Sequence, residues 1–291
     1  MTLGKFKKNK QASKMSSTAN DVSSVEKKEM SVGYQNYLRS IKVEKIKVLI
    51  MQLVLLVAIL VLWEVLANKG VISTFLFSKP SEIYDLFMRY MENGKLWIHV
   101  KTSVYETMLG LIIGTVGGVL VAILLWASPR LSKVLDPFLV VLNALPKTAL
   151  APIVIVWVGA NIKGIVVTAI LISIVVTILS AYNYFINVDE EKIKMLKSFK
   201  ATKLQILFKL ILPANIGNLI NIVKINIGMA WVGVIVGEFL VSRNGIGYLI
   251  VYGSQVFKLD IVMMGVFVLA VCAWVMYEIV NIIEKLYKNY R

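Results

Sequence analysis

The sequence is poor in the residues that carry most enzymatic and metal chemistry. It has one cysteine, Cys272, and one histidine, His99, well separated among 291 residues. One of each leaves no internal disulfide and no recognisable zinc or Cys–His site. No glycine-rich loop ending in Gly-Lys-Ser/Thr occurs, so the chain cannot hold nucleotide phosphates in the P-loop manner. No catalytic residue, metal or cofactor is expected, and any energy has to come from a partner or an ion gradient. Acids are also scarce, 17 Asp and Glu against 32 Lys and Arg, for a net charge of +15.

What is present in excess is apolar. Hydrophobic residues make up 58% of the chain, against about half in soluble domains. A membrane crossing needs about 20 predominantly apolar residues. Such runs lie at roughly 48–67, 104–126, 135–158, 164–184, 216–240 and 261–283, which predicts an all-α, polytopic membrane protein with six transmembrane helices. "NALPKTALAP" interrupts the third run, which is counted as one kinked span because a proline inside a crossing is tolerated where neighbours satisfy the freed backbone.

Basic residues near span ends set orientation, because short cationic loops stay cytoplasmic. The segment before the first span carries eleven lysines and arginines, including Lys5, Lys27, Arg39 and Lys47. Placing it inside also puts "SPRLSK" (128–133), the loop at about 187–215 and the basic tail "KLYKNYR" inside, so both termini are expected in the cytoplasm. The positive charge then reads as a topology signal with attraction to anionic membrane lipid. Nucleic acid binding is not expected, since no basic fold or aromatic-interleaved patch supports it. Residues 1–45 read as a disordered basic cytoplasmic arm, followed by a transmembrane domain over 46–291. No cleavable signal is visible, because the first apolar run starts near Val48 and is too long for one.

The loop at about 187–215 is longer than a helical hairpin needs. Its stretch "KMLKSFKATKLQILFKLILP" (194–213) divides around Lys200-Ala201-Thr202 into two short amphipathic helices. Ile193, Leu196 and Phe199 line the first; Leu204, Leu207, Leu210 and Ile211 line the second, before Pro213 stops it. Thr202 is placed to cap the second helix. Periodicity alone leaves open a helix lying flat on anionic lipid.

The stretch resembles the cytoplasmic coupling loop, or EAA loop, of permease subunits of bacterial ATP-binding-cassette importers. The match is carried by "LILP" (210–213) and the hydrophobic spacing before it. Lys194 stands where that pattern has Glu, Met195 and Leu196 where it has two alanines, and Lys200 where it has Gly. A lysine forced into the glycine's backbone conformation costs on the order of 1 kcal/mol, so either the turn or the coupling is expected to differ. Over about 75–290 the chain is similar to the nitrate, sulfonate and taurine branch of these permeases. The blocks that carry this are "LWIHVKTSVYETMLGLIIGTVGG" (96–118), "LDPFLVVLNALPKTALAPIVIVWVG" (135–159) and "GEFLVSRNGIGYLI" (237–250). Asn143 and Glu106 stand where that branch carries arginines, so no role of those arginines transfers.

The resemblance implies a type I importer permease fold in the bacterial inner membrane, working as a homodimer with two ATPase subunits and an extracytoplasmic solute-binding protein. It implies ATPase coupling through Lys197, Ser198, Phe199, Lys200, Ala201, Thr202, Lys203, Leu204 and Gln205, and a small anionic solute such as an organosulfonate, taurine or nitrate. The same branch carries vitamin precursors, a thiamine pyrimidine or riboflavin, so that alternative stays open. A secondary transporter would need an intramembrane ion site, often with related repeats, and a membrane-embedded enzyme would need clustered His, Cys or carboxylates at membrane depth; neither pattern is seen.

Three further groups stand out from their chemistry. Gly110, Gly114 and Gly118 repeat every four residues, the spacing that lets helix backbones approach. Asn143, Pro146 and Lys147 mark a candidate translocation path, since a lysine near mid-membrane faces a cavity, pairs with an acid such as Glu278, or snorkels. Glu238, beside the Gly245–Gly247 turn, reads as structural.

Overall fold

A computed structural model describes residues 32–289. It is helical throughout, with no strand among the described residues. The chain divides into two compact units, residues 1–65 and 66–291. The first holds most of helix α1 (Val32–Asn68), whose part from Arg39 is long and apolar enough to cross a membrane. Residues 1–31 of the arm expected to be disordered lie outside the described residues, while 32–45 are helical.

The second unit runs through the short helix α2 (Thr74–Phe77), α3 (Pro80–Glu92), α4 (Lys95–Ala127), α5 (Pro129–Ala144) and α6 (Ala151–Val158). It continues through α7 (Ile162–Ile186), α8 (Glu190–Ser198), α9 (Lys203–Ile206), α10 (Leu212–Val241), α11 (Ile246–Gln255) and α12 (Leu259–Asn289). Between α5 and α6, Pro146 removes a backbone donor and holds Leu145 extended, at φ −64° and ψ 139°. A 3₁₀ turn, Lys147–Leu150, follows, and the two arms meet at 89°.

α7 is the central helix, and small residues set its packing. A Cβ at Gly110 would stand 2.7 Å from the Ala169 Cβ, one at Gly114 2.5 Å from the Ser173 Oγ, and one at Gly118 2.6 Å from the Thr177 Cβ. α10 comes equally close, with Gly233 against Ala169 and Gly237 against Ile165. In lipid, where helices gain nothing by hiding apolar surface from water, such backbone approach supplies the attraction through dispersion. The hydroxyls on this face of α7 are satisfied locally: Thr168, Ser173 and Thr177 donate to the carbonyls of Gly164, Ala169 and Ser173 at 2.9, 3.0 and 2.9 Å. Asn226 of α10 then ties three helices by donating to Thr115 at 2.8 Å and Thr177 at 2.7 Å.

These contacts fix direction. The glycine seam rises in step along α4 and α7, so the two are parallel, whereas the α10 contacts fall against α7, so α10 is antiparallel to both. Parallel α4 and α7 require the chain between Ala127 and Ile162 to return to the end at which α4 began. Only α5, the 3₁₀ turn and α6 lie between them, so the bent pair is one broken crossing and not a loop that leaves by the side it entered. With α1, the six expected spans are present.

Candidate functional site

The coupling-loop residues form a single corner. Asp189 caps α8 by accepting from the Glu191 N–H at 2.9 Å. At its other end the Lys200 N–H bonds the Lys197 carbonyl at 2.9 Å and the Ala201 N–H bonds the Leu196 carbonyl at 3.1 Å. This is a Schellman motif, which requires a left-handed residue just past the helix. Lys200 is that residue, at φ +57°. The turn is therefore kept with a lysine in the glycine's place, and the altered-turn expectation is corrected: the other hydrogen bonds of the motif outweigh a cost on the order of 1 kcal/mol.

The second helix opens on a reciprocal capping box. The Thr202 N–H donates to the Gln205 Oε1 at 2.8 Å and the Gln205 N–H to the Thr202 Oγ1 at 3.3 Å. Pro213 does not stop this helix, contrary to expectation. A π-helical stretch, Leu207–Ile211, absorbs it, and the helical run continues from Lys203 to Val241, 39 residues. The wider i→i+5 ladder accommodates the missing proline donor.

The apolar residues of this corner divide into two sets. Ile206, Leu207 and Ile211 are buried with Phe185, Ala181 and Ala122 at the ends of α7 and α4, and Ile193, Leu196, Ala201 and Leu210 pack against them. Phe199 and Leu204, expected on the same stripes, face outward at 76% and 67% exposure, with Met195 and Phe208 also exposed. Of the lysines, Lys203 donates to the Ala127 carbonyl at 3.0 Å, capping the end of α4, whereas Lys197 and Lys200 are exposed.

Asn143, Pro146 and Lys147 meet at the bend of the broken crossing, away from the coupling corner in the chain and in contacts. The Lys147 ammonium donates to the Asn143 carbonyl at 3.0 Å and to its Oδ1 at 3.4 Å, satisfying the end of α5. Its expected acidic alternative is occupied elsewhere: Glu278 accepts from Asn281 and pairs with Lys285 at 3.8 Å.

A third polar place surrounds Glu238. Its carboxylate accepts from the Ser103 hydroxyl at 2.5 Å and the Gly247 N–H at 2.6 Å, Ser103 accepts from the Ile246 N–H at 2.7 Å, and His99 Nδ1 accepts from the Gly245 N–H at 3.0 Å. Side chains of α4 and α10 thus cap the start of α11. Gly245 has φ +120°, and any Cβ there would collide with the Glu238 carboxyl. Lys224 is a residue the sequence reading passed over. It pairs with Glu284 of α12, which also takes Lys288 at 2.6 Å. A lysine inside the fifth apolar run was the available signal.

The family described as binding-protein-dependent transport system inner membrane component matches residues 114–289. The aliphatic sulfonates transport permease protein SsuC of Bacillus subtilis is 28% identical over 233 residues, 80% of this chain and 84% of that protein. The riboflavin transport system permease protein RibX of Chloroflexus aurantiacus is 26% identical, over 80% of this chain and 87% of that one. Among solved structures, a chain of a bacterial ABC transporter involved in import of the acidic polysaccharide alginate superposes with a TM-score of 0.60 at 13% identity, covering 83% of this chain and 97% of that one. Six crossings, a helical corner between the fourth and fifth, and a match across more than half its length place this chain in the binding-protein-dependent transport inner-membrane family, as the permease of an ATP-binding-cassette importer.

Proposed function

We propose that the chain forms a homodimer in the inner membrane, with both termini cytoplasmic, that receives two ATPase subunits at the α8–α9 corner and an extracytoplasmic solute-binding protein on the opposite side. The observation that carries this reading is the outward-facing pair Phe199 and Leu204, held on either side of a doubly capped turn. Large apolar side chains exposed on a rigid corner suit a partner cleft, with Lys197 and Lys200 at its rim. A buried aromatic anchor in such an interface is worth about 2 kcal/mol or more, while rim charges act mostly on encounter rate and salt dependence.

Movement of this corner has two routes into the membrane. α9 and the π-helical stretch continue directly into α10, and Lys203 grips the last carbonyl of α4. ATP-driven closure of the ATPases would therefore shift α10 and α4 together and reorient the two permease copies about a central path, with Asn143, Pro146 and Lys147 at its broken helix. The solute we assign is a small organosulfonate, taurine or nitrate-like anion, supported by the SsuC relative; the RibX relative keeps a vitamin as the second reading.

Reconstitution of the assembly in proteoliposomes tests both parts. ATP-driven uptake of taurine or an alkanesulfonate is expected with the wild type, and Phe199→Ala is expected to lose ATPase on co-purification, with uptake falling in parallel. Full retention of the ATPase by Phe199→Ala would overturn the docking assignment. Uptake of riboflavin alone would overturn the solute.

A further inference from the structure

Lys147 sits where the broken crossing turns, as the first residue of the 3₁₀ turn between α5 and α6. Its ammonium carries three N–H groups, and both acceptors it meets, the Asn143 carbonyl at 3.0 Å and the Asn143 Oδ1 at 3.4 Å, are neutral. Bonded one turn back, the side chain is folded against the end of α5 and is not stretched toward a membrane surface, as a snorkelling lysine is.

The charge has no counter-ion in the chain. No Asp or Glu occurs from Pro137 to Val188, so the bend, α6 and the whole of α7 hold no acid. Asp136 stands about two turns before Asn143 on α5. In the other crossings Glu238 is engaged by Ser103 and the Gly247 N–H, Glu278 by Asn281 and Lys285, and Glu284 by Lys224 and Lys288. Among the described residues no carboxylate pairs with Lys147. The neighbouring residues of α5 and the bend, Val140, Val141, Leu142 and Leu145, are exposed and apolar. A cation so placed within a crossing is costly unless it faces an anion or a solute path.

Granting the central path along the broken helix inferred above, we propose that Lys147 is the residue of that path that receives the solute, pairing its ammonium with the solute's anionic group, and that it makes the path selective for small anions. A sulfonate or nitrate entering a low-dielectric path loses hydration, and a fixed cation offsets that loss, whereas a neutral solute gains nothing from it. Asn143 supports the role. By accepting through both oxygens it keeps the ammonium at the end of α5, where the partial negative charge of the last carbonyls would otherwise repel an anion.

The assembly reconstituted with its ATPase and binding protein tests this, with Lys147→Cys made in a Cys272→Ala chain and each uptake compared with that of the Cys272→Ala assembly treated alike. Uptake of an alkanesulfonate is expected to fall by about tenfold or more in Lys147→Cys, as one charge-assisted contact is lost. An aminoethyl thiosulfonate, which attaches an ammonium to the cysteine sulfur through a disulfide, is expected to restore most of the uptake, and a neutral methyl reagent is not. Lys147→Arg is expected to keep uptake. Undiminished uptake in Lys147→Cys, no recovery once the ammonium is attached, or equal recovery with the neutral reagent would overturn the proposal. Lys147→Gln separates charge from capping, since its amide can still donate to Asn143; it is expected to retain the ATPase on co-purification and to lose uptake. Loss of the ATPase by both Lys147→Gln and Lys147→Cys would make the lysine a structural cap and overturn the proposal. A wild type that imports riboflavin and no alkanesulfonate would overturn the assigned solute and the role of Lys147 together, whereas alkanesulfonate uptake indifferent to Lys147 would overturn that role alone.

Discussion

At the scale of single residues, Lys200 shows how a departure from a sequence pattern can leave geometry intact. The left-handed position past α8 favours glycine, yet the lysine occupies it at φ +57° because the two reverse hydrogen bonds to Leu196 and Lys197 and the Thr202 capping box fix the backbone on both sides. The strain is therefore local and removable. Lys200→Gly is expected to stabilise the turn by about 1 kcal/mol, slowing hydrogen exchange at the Ala201 amide by roughly fivefold where exchange proceeds by local opening. Exchange unchanged from wild type would mean that the lysine stem recovers the backbone cost through contacts of its own. Lys203 and Lys147 make a related point: each long cation serves a helix C-terminus, Ala127 and Asn143 respectively, where the last carbonyls lack intrahelical partners.

At the scale of elements, the glycine seam was legible in the sequence as a four-residue repeat, but its partner was not. Repeats announce close approach without naming the facing helix, and α7 advertises Ala169, Ser173 and Thr177 only weakly within an apolar run. The six crossings were legible for the same reason the pairings were not, since run length depends on bilayer thickness and packing on side-chain shape. The π-helical stretch before Pro213 and the outward turn of Phe199 and Leu204 also escaped periodicity, because a 3.6-residue stripe assumes one uninterrupted helix. The seam makes a specific prediction. In Gly114→Ala the new methyl meets the Ser173 Oγ at 2.5 Å, while the Ser173 Cβ lies at 3.8 Å. Gly114→Ala is expected to lower the melting temperature of the purified chain, and Ser173→Ala added to it is expected to restore most of the loss. Gly110→Ala meets the Ala169 Cβ itself at 2.7 Å, so Ser173→Ala should not relieve it. Equal rescue of both glycine variants in a double-mutant cycle would show general loosening in place of a local steric fit.

At the scale of the whole molecule, the direction of the bundle can be tied to the side of the membrane. Contacts within the 66–291 unit put the Ala127 end of α4 beside the α8–α9 corner, through Lys203, and the His99 end beside the turn before α11, through Gly245. Those two ends must open to opposite sides, and in the orientation we propose from the basic loops the Ala127 end is the cytoplasmic one. A cysteine at Ser132 would report poorly, because that side chain is buried and bonded to the Tyr182 hydroxyl at 2.6 Å; Lys133 is exposed and serves instead. With Cys272 replaced by alanine, cysteines at Lys133 and Lys200 are expected to resist a membrane-impermeant thiol reagent in intact cells and to react once the membrane is opened. Cysteines at Ser73 and Asn244 are expected to react in both. Labelling at Lys133 and Asn244 from the same side would break the parallel arrangement of α4 and α7, because it would require α5 and α6 to re-enter, where the Gly110, Gly114 and Gly118 contacts demand that they cross.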